Sequence, residues 1–347
     1  MKREIKLLVA LSILLLSFNV DGIAQNGGFA GAAFQSGFGP RGMAMSNAMG
    51  ASTSEGVYPY YNPALAAVFQ EYNQIDLSVS SMDFDRVYQN AGVHVQLPPN
   101  AGIAFGLIRA GVKDIDARSL SGYPNGTFDI SEYQLNTAFG IRFSQKFFGG
   151  VGIKLNYANY HEELSPASAV GLDLGFLYLL NERFNIGMSI QDLFANYTWN
   201  SGDLYGQSQS RNVVNNFPTR IKWAVSYQNK QFSINSEYEL QVYSSEFTEY
   251  EIFISDSGTP VSISTIETLN TNSGQFKIGG LWHAHERFTL RAGYRIADTK
   301  TEGSNAFSAG FSVHLPFDRF SPSIDYAFVR EPFGVSNFHV FALRLHL

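Results

Sequence analysis

A chain of 347 residues with a net charge of −6 and no cysteine excludes several classes at once. It has no basic stripe to meet nucleic acid and no thiolate for disulfides, iron–sulfur clusters or thiolate zinc sites. Aromatic residues are 14% of the chain, with 29 Phe, 18 Tyr and 32 Gly, a mix that suits a membrane barrel with ring girdles and crowded, glycine-bearing strands.

The first predicted element is a targeting segment over 1–24. Lys2, Arg3 and Lys6 precede an apolar run from Leu7 to Phe18, and Gly22-Ile23-Ala24 offers small residues for cleavage. The run is too short to span a membrane. No later stretch reaches the roughly 18 apolar residues of a spanning helix. A membrane role therefore requires a closed barrel, which also satisfies its backbone in lipid.

Residues 25–72 do not alternate. They are rich in Gly, Ala, Ser and Met and end in Tyr58-Pro59-Tyr60-Tyr61-Asn62-Pro63-Ala64-Leu65. Asn62 is a good N-cap and Pro63 a good first helical residue, so a short helix is expected over 63–68. The segment is too small for a domain and too apolar for a free linker. It is expected to plug a barrel lumen.

From 73 to 347 the chain alternates apolar and polar residues, as a half-buried strand does. The expected strands are 73–83, 86–96, 100–110, 132–144, 147–159, 168–180, 184–192, 217–228, 231–241, 274–285, 286–296, 303–315, 320–330 and 337–347. Every second connection is tight, whereas 111–131, 193–216 and 242–273 are long. That parity is the pattern of an outer-membrane barrel, with short periplasmic turns and longer outer loops. The predicted fold is all-β, a single closed antiparallel transmembrane barrel of about 14 strands with an N-terminal plug. Both termini are then expected in the periplasm, in the outer membrane of a Gram-negative bacterium, with lipid around the wall. Within 242–273, Phe253-Ile254-Ser255 and Val261-Ser262-Ile263-Ser264 could form an extra hairpin above the membrane; if that pair were inserted instead, there would be sixteen strands.

Alternation also assigns faces. Leu107, Phe176, Val225, Phe311 and Leu343 are expected to meet lipid. Arg142, Lys154, Asp173, Lys222, Glu237, Glu239, Lys277, Arg291, Arg295, Asp325 and Arg344 are expected in the lumen. Both signs are present there, which suits ion pairing within the wall and to the plug. Arg41 should pair with Asp173, Glu237 or Asp325, because a cation in a lumen needs a partner. In the long loops Tyr197, Trp199, Tyr243, Phe247, Tyr250 and Phe253 are candidate contacts for a protein partner or members of the outer girdle.

No constellation for catalysis stands out, and no cofactor is expected. His283 and His285 lie two apart on a strand without an evident third metal ligand.

The plug carries a resemblance. Gly39-Pro40-Arg41-Gly42-Met43-Ala44-Met45-Ser46-Asn47-Ala48 and Tyr60-Tyr61-Asn62-Pro63-Ala64-Leu65 resemble the start of the FadL-like outer-membrane superfamily, closest to the PorV/PorQ family linked to type IX secretion. Arg41, Met45, Asn62, Pro63 and Ala64 fall on its motif. Ile324-Asp325-Tyr326-Ala327-Phe328, Gly334 and Phe341-Ala342-Leu343-Arg344-Leu345 resemble its ending. Ser46-Asn47, Asn337-Phe338-His339 and the final Leu347 depart from the usual pattern. The resemblance implies a non-enzymatic barrel. It would act in type IX-type secretion or surface display, docking secretion-machinery or cargo proteins through outer loops and lumen. The alternative it implies is FadL-like transport of a hydrophobic ligand such as a long-chain fatty acid.

Overall fold

The computed structural model describes residues 29–56, 58–70, 72–162, 164–200, 212–254, 260–297, 305–315, 317 and 322–347. The expected signal peptide lies outside them, as do the side chains of Phe247, Tyr250 and Phe253.

Fourteen strands close into one antiparallel barrel. In chain order the strands are β1 (Gln74–Ser81), β2 (Arg86–Leu97), β3 (Ala101–Arg118), β4 (Pro124–Arg142), β5 (Phe147–Asn159), β6 (Ala167–Leu179), β7 (Phe184–Leu193), β8 (Asn196–Asn200), β9 (Asn212–Asn216), β10 (Thr219–Gln228), β11 (Phe232–Ile254), β12 (Pro260–His285), β13 (Phe288–Ala297), β14 (Ala306–His314), β15 (Ser323–Arg330) and β16 (Asn337–His346). Each barrel strand pairs with its neighbour in sequence, except that β7 pairs β10 across a separate two-stranded β8–β9 sheet. β1 and β16 close the wall from Gln74↔His346 to Ser81↔His339. Asn73 and Leu347 extend that seam by exchanging backbone hydrogen bonds of 3.0 and 2.9 Å. No sheet edge is left in the barrel, which is what lipid demands.

The start of β1 and the end of β16 lie at the end of the barrel that carries the tight turns. At the opposite end the structure corrects the sequence expectation. Much of 111–131 is strand, not loop, and in 242–273 the hairpin expected at 253–264 is the tip of one continuous extension of two barrel strands. The β3–β4 ladder runs on to Arg118↔Pro124, with register shifts after Val112 and Asp116. The β11–β12 ladder runs on to Ile254↔Pro260. Once the barrel pins the register, two protruding segments can satisfy each other's backbone groups. The 13 residues from Val242 to Ile254 add roughly 40 Å of ladder at about 3.4 Å per residue.

The lumen is filled by the plug. It contains a short helix, α1 (Gly39–Ala44), and two 3-10 turns, Ala32–Ser36 and Pro63–Ala67. The expected helix at 63–68 is this second turn. The six residues of α1 are all buried. Barrel glycines let the plug backbone approach the wall. A Cβ on Gly150 would come within 2.4 Å of the Pro63 carbonyl carbon, and one on Gly102 within 1.8 Å of the Ala66 carbonyl oxygen. Only glycine fits such close backbone approaches.

Candidate functional site

The site is built from the plug and the inner wall around it. Asn62 starts the Pro63–Ala67 turn by accepting a hydrogen bond from the Ala64 backbone N–H at 3.0 Å. Its side-chain amide also donates to the Gly50 carbonyl at 2.8 Å and the Phe176 carbonyl at 3.0 Å. One capping residue therefore ties the turn, the plug backbone and the wall together.

A buried ionic cluster anchors the plug. Arg41 reaches Asp325 at 2.8 Å and donates to Ser323 Oγ at 2.7 Å. Glu55, also in the plug, pairs with Arg291. Arg344 pairs with Asp76 at 2.6 Å, donates to the Glu55 carbonyl at 2.6 Å, and bonds the Tyr58 hydroxyl. Burial pushes the Glu55 carboxyl up, but Arg291 and Arg41 outweigh it and leave the group below the usual carboxylate range. Leaving any one of these charges unpaired would be strongly unfavourable, because the lumen wall has removed the water.

A second cluster lies along the wall. Lys154 bridges Asp173 and Asp192, each at 2.8 Å, and Arg220 holds Asp192 at 2.6 Å. A third joins Lys277 to Glu239 at 2.5 Å and to Glu237 at 3.3 Å, with Lys222 3.6 Å from Glu239. Glu237 also accepts the Gly50 backbone N–H at 3.0 Å. Of the expected lumen residues, Lys154, Asp173, Lys222, Glu237, Glu239, Lys277, Arg291, Asp325 and Arg344 are buried inside, and Arg295 is half-buried.

Several expectations need correction. Arg142 keeps the inward parity of Gln134, Asn136 and Ala138 but is only half-buried at the tight-turn mouth, where it donates to the Pro99 carbonyl. It ends β4, where the lumen gives way to solvent. Tyr197 and Trp199 are not free outer contacts, at 1% and 7% exposure. The β8–β9 sheet packs its rings against Phe217 and Tyr160, at centroid distances of 5.0 and 4.7 Å. These rings join the plug residues Phe34, Phe38, Tyr60 and Tyr61 in one apolar cluster. Tyr243 is half-buried, with its ring 6.1 Å from Phe29. Val225 is buried with Phe184, Tyr227, Tyr238 and Phe276, because rings of adjoining strands close over it. Leu107, Phe176, Phe311 and Leu343 are exposed on the outer wall. The plug residues Met45, Asn62, Pro63 and Ala64 are buried.

Glu55, Asp76, Asp192 and Arg220 escaped the sequence reading. Asp76 alternates with Gln74 and Ser78, and Arg220 with Lys222, so strand period could have found both. Glu55 lies in the aperiodic plug, where no such signal exists.

Several cavities border the plug, among them a space of about 90 Å³ between Met43, Ser46 and Asn47 of the plug and Arg295, Phe307, Val329 and Phe338 of the wall. A vestibule of about 320 Å³ lies between the plug and the long-hairpin end. Ser36, Asn47, Tyr60 and Tyr61 line it from the plug, and Arg220, Lys222, Glu239, Gln241, Gln275, Lys277 and Arg295 from the wall. A crevice of about 20 Å³ lies between Phe38, Tyr58 and Tyr60 of the plug and the glycine pair Gly92 and Gly106 of β2 and β3. Val93 and Phe105 line that crevice as well. Among the described residues no His, Cys, Asp or Glu group is arranged to hold a metal.

The architecture is therefore that of a plugged, fourteen-stranded antiparallel barrel with an ionic lumen. No protein-family model and no curated protein matches the chain. Among solved structures, the Pseudomonas putida toluene transporter TodX superposes with a TM-score of 0.62 at 14% identity, covering 90% of this chain and 99% of that one. The Ralstonia pickettii toluene transporter TbuX gives 0.61 at 15% identity, with the same coverage of 90% and 99%. A FadL homologue from Pseudomonas aeruginosa gives 0.58 at 14% identity, covering 89% of this chain and 97% of that one. At such identities the likeness is one of fold: the chain has a FadL-like barrel.

Proposed function

We propose that the protein is an outer-membrane transporter for small molecules, entered from the long-hairpin end and gated by the plug. The observation that carries this reading is the vestibule of about 320 Å³, seated directly on a plug that is locked to the wall by buried ion pairs. Long connections face outward in such barrels, so the vestibule would meet the outside, with Phe29 on its lining, and the end of β16 would meet the periplasm. Beside the plug the described residues leave a crevice of about 20 Å³ and a space of about 90 Å³, both small against the vestibule, so in this reading passage requires the plug to shift. The names of the solved neighbours, toluene transporters among them, make a hydrophobic solute the first class to test. The working residues are in the plug and lumen, and the proposed role involves no catalysis. The test is uptake of toluene and of laurate by cells or liposomes carrying the protein, with Arg41→Ala as the gate variant. Uptake equal to that of protein-free controls in both would reject transport of this class.

A second reading, secretion or surface display by protein docking, is favoured by one feature. The β11–β12 hairpin stands well beyond the barrel, and segments of this length outside the packed body are usually functional. The comparisons with known proteins lend that reading no support. Deletion of 245–270 should leave the barrel folded and abolish recovery of a partner if docking is the role.

A further inference from the structure

We propose that the vestibule is a binding site for a small hydrophilic oxyanion, carboxylate or phosphate, held by Arg295 and Lys222 above the plug. This rests on reading the vestibule as the transporter's entrance.

The argument is one of charge and saturation. Four cations line the vestibule, namely Arg220, Lys222, Lys277 and Arg295, with Glu239 and Glu331 as the lining carboxylates. Both carboxylates are already engaged. Glu331 is held by Arg86 through paired bonds of 2.8 and 2.7 Å. Glu239 takes Lys277 at 2.5 Å on one oxygen, and Gln241 and Gln275 at 2.8 and 3.0 Å on the other. Arg220 is committed to Asp192. Two cations remain with donors to spare. Arg295 makes no hydrogen bond or ion pair among the described residues. Lys222 has its nearest carboxylate at 3.6 Å, beyond a good hydrogen bond. A guanidinium half withdrawn from water and facing a cavity is a natural partner for an oxyanion, which it can bind through two parallel bonds.

The lining also sets the solute class. Ser36, Asn47, Ser273, Gln241 and Gln275 surround the cations with amide and hydroxyl groups. A volume of about 320 Å³ lies at the small end of the range for ligand pockets. The space that adjoins the vestibule at Ser36, Asn47 and Arg295, about 90 Å³, and the apolar crevice of about 20 Å³ are each small against the vestibule and offer little room for an acyl chain. The site therefore fits a compact polar anion better than a fatty acid or a hydrocarbon.

The test is calorimetric titration of the full-length protein in nanodiscs with succinate, inorganic phosphate and laurate, against empty nanodiscs. Saturable binding of succinate or phosphate is expected, weakening as salt rises. Arg295→Gln should weaken it at least tenfold without lowering the unfolding temperature, because no carboxylate loses its partner. Arg295→Lys should recover part of the affinity by restoring a point charge. No saturable binding of either anion, or unchanged binding in Arg295→Gln, would overturn the site. Laurate binding more tightly than succinate would overturn the hydrophilic class. Binding that persists while liposome flux is absent would sink the transport reading and leave this site standing.

Discussion

The guanidinium of Arg41 meets the carboxylate of Asp325 at 2.8 Å, although 284 positions separate them in the chain. One lies in the plug and the other in the last strand but one of the barrel. That contact joins the plug to β15, the strand next to the closing seam of the wall.

Removing Arg41 should therefore loosen the plug more than it perturbs the barrel. Arg41→Ala leaves Asp325 buried and unpaired, which costs roughly 3–5 kcal/mol. A lower temperature of heat-modifiable migration and a raised leak of small solutes are the expected outcomes. Combining Arg41→Leu with Asp325→Leu should restore most of the lost stability, since neither charge is then stranded. Single-variant behaviour indistinguishable from the parent protein would remove the anchoring role.

The glycine contacts make a separate prediction. Gly150→Val would force its Cβ into the Pro63 carbonyl. Overpacking of this kind costs about 1–3 kcal/mol, and here it acts on plug seating. Raised channel conductance in planar bilayers, with the barrel still resistant to protease, is the expected signature. The control is Gly122→Val, whose Cβ meets nothing within 4 Å but whose φ of +82° strains any side chain; it should affect only its own turn.

Wall orientation can be read by labelling. Single cysteines at Leu107, Phe176, Phe311 and Leu343 should react with membrane-restricted reagents, and cysteines at Lys154, Glu237 and Arg291 should not. Leu107→Arg should destabilise the barrel by about 2–4 kcal/mol if that site lies at the bilayer midplane. Reversed labelling in two strands would contradict the register seen here.

Plug stability should depend on acid in one direction. Glu55 has its carboxyl held below the usual carboxylate range by Arg291 and Arg41 against the effect of burial. Its contribution is fully present above the unfolded carboxylate value, about 4.3. It is lost as pH falls through the lower value of the folded state. Leak or unfolding temperature followed from pH 7 downward should show the plug weakening only in that acidic window. Glu55→Gln should flatten that part of the profile, and a parent profile equally flat would argue against the linkage.

Much of the site was legible as faces rather than as partners. Strand period assigns Lys154, Asp173 and Arg344 to the lumen because a slip of one residue would turn every charge toward lipid. For Arg41 it leaves three carboxylates open, and the structure selects Asp325. Asp173 is taken by Lys154, and Glu237 by Lys277 and the Gly50 N–H. Tyr197 and Trp199 misled for the opposite reason. A long aromatic segment reads as an exposed loop, but β8–β9 folds its rings onto the plug.

The sequence by itself determined the closed barrel. A two-residue alternation, tight turns of one parity and the lack of a later spanning helix leave no other way to satisfy a backbone in lipid. It also marked the aperiodic segment that fills the lumen. Only the tertiary structure decided which charges neutralise one another around that plug. Arg220 and Asp192 stand 28 positions apart, and Arg291 and Glu55 stand 236 apart. Pairing at such separations is set by barrel register and plug seating, which no local pattern encodes. The same long-range pairing leaves Arg295, among the described residues, with no carboxylate in ion-pair range above the plug, because Glu239 and Glu331 are already held.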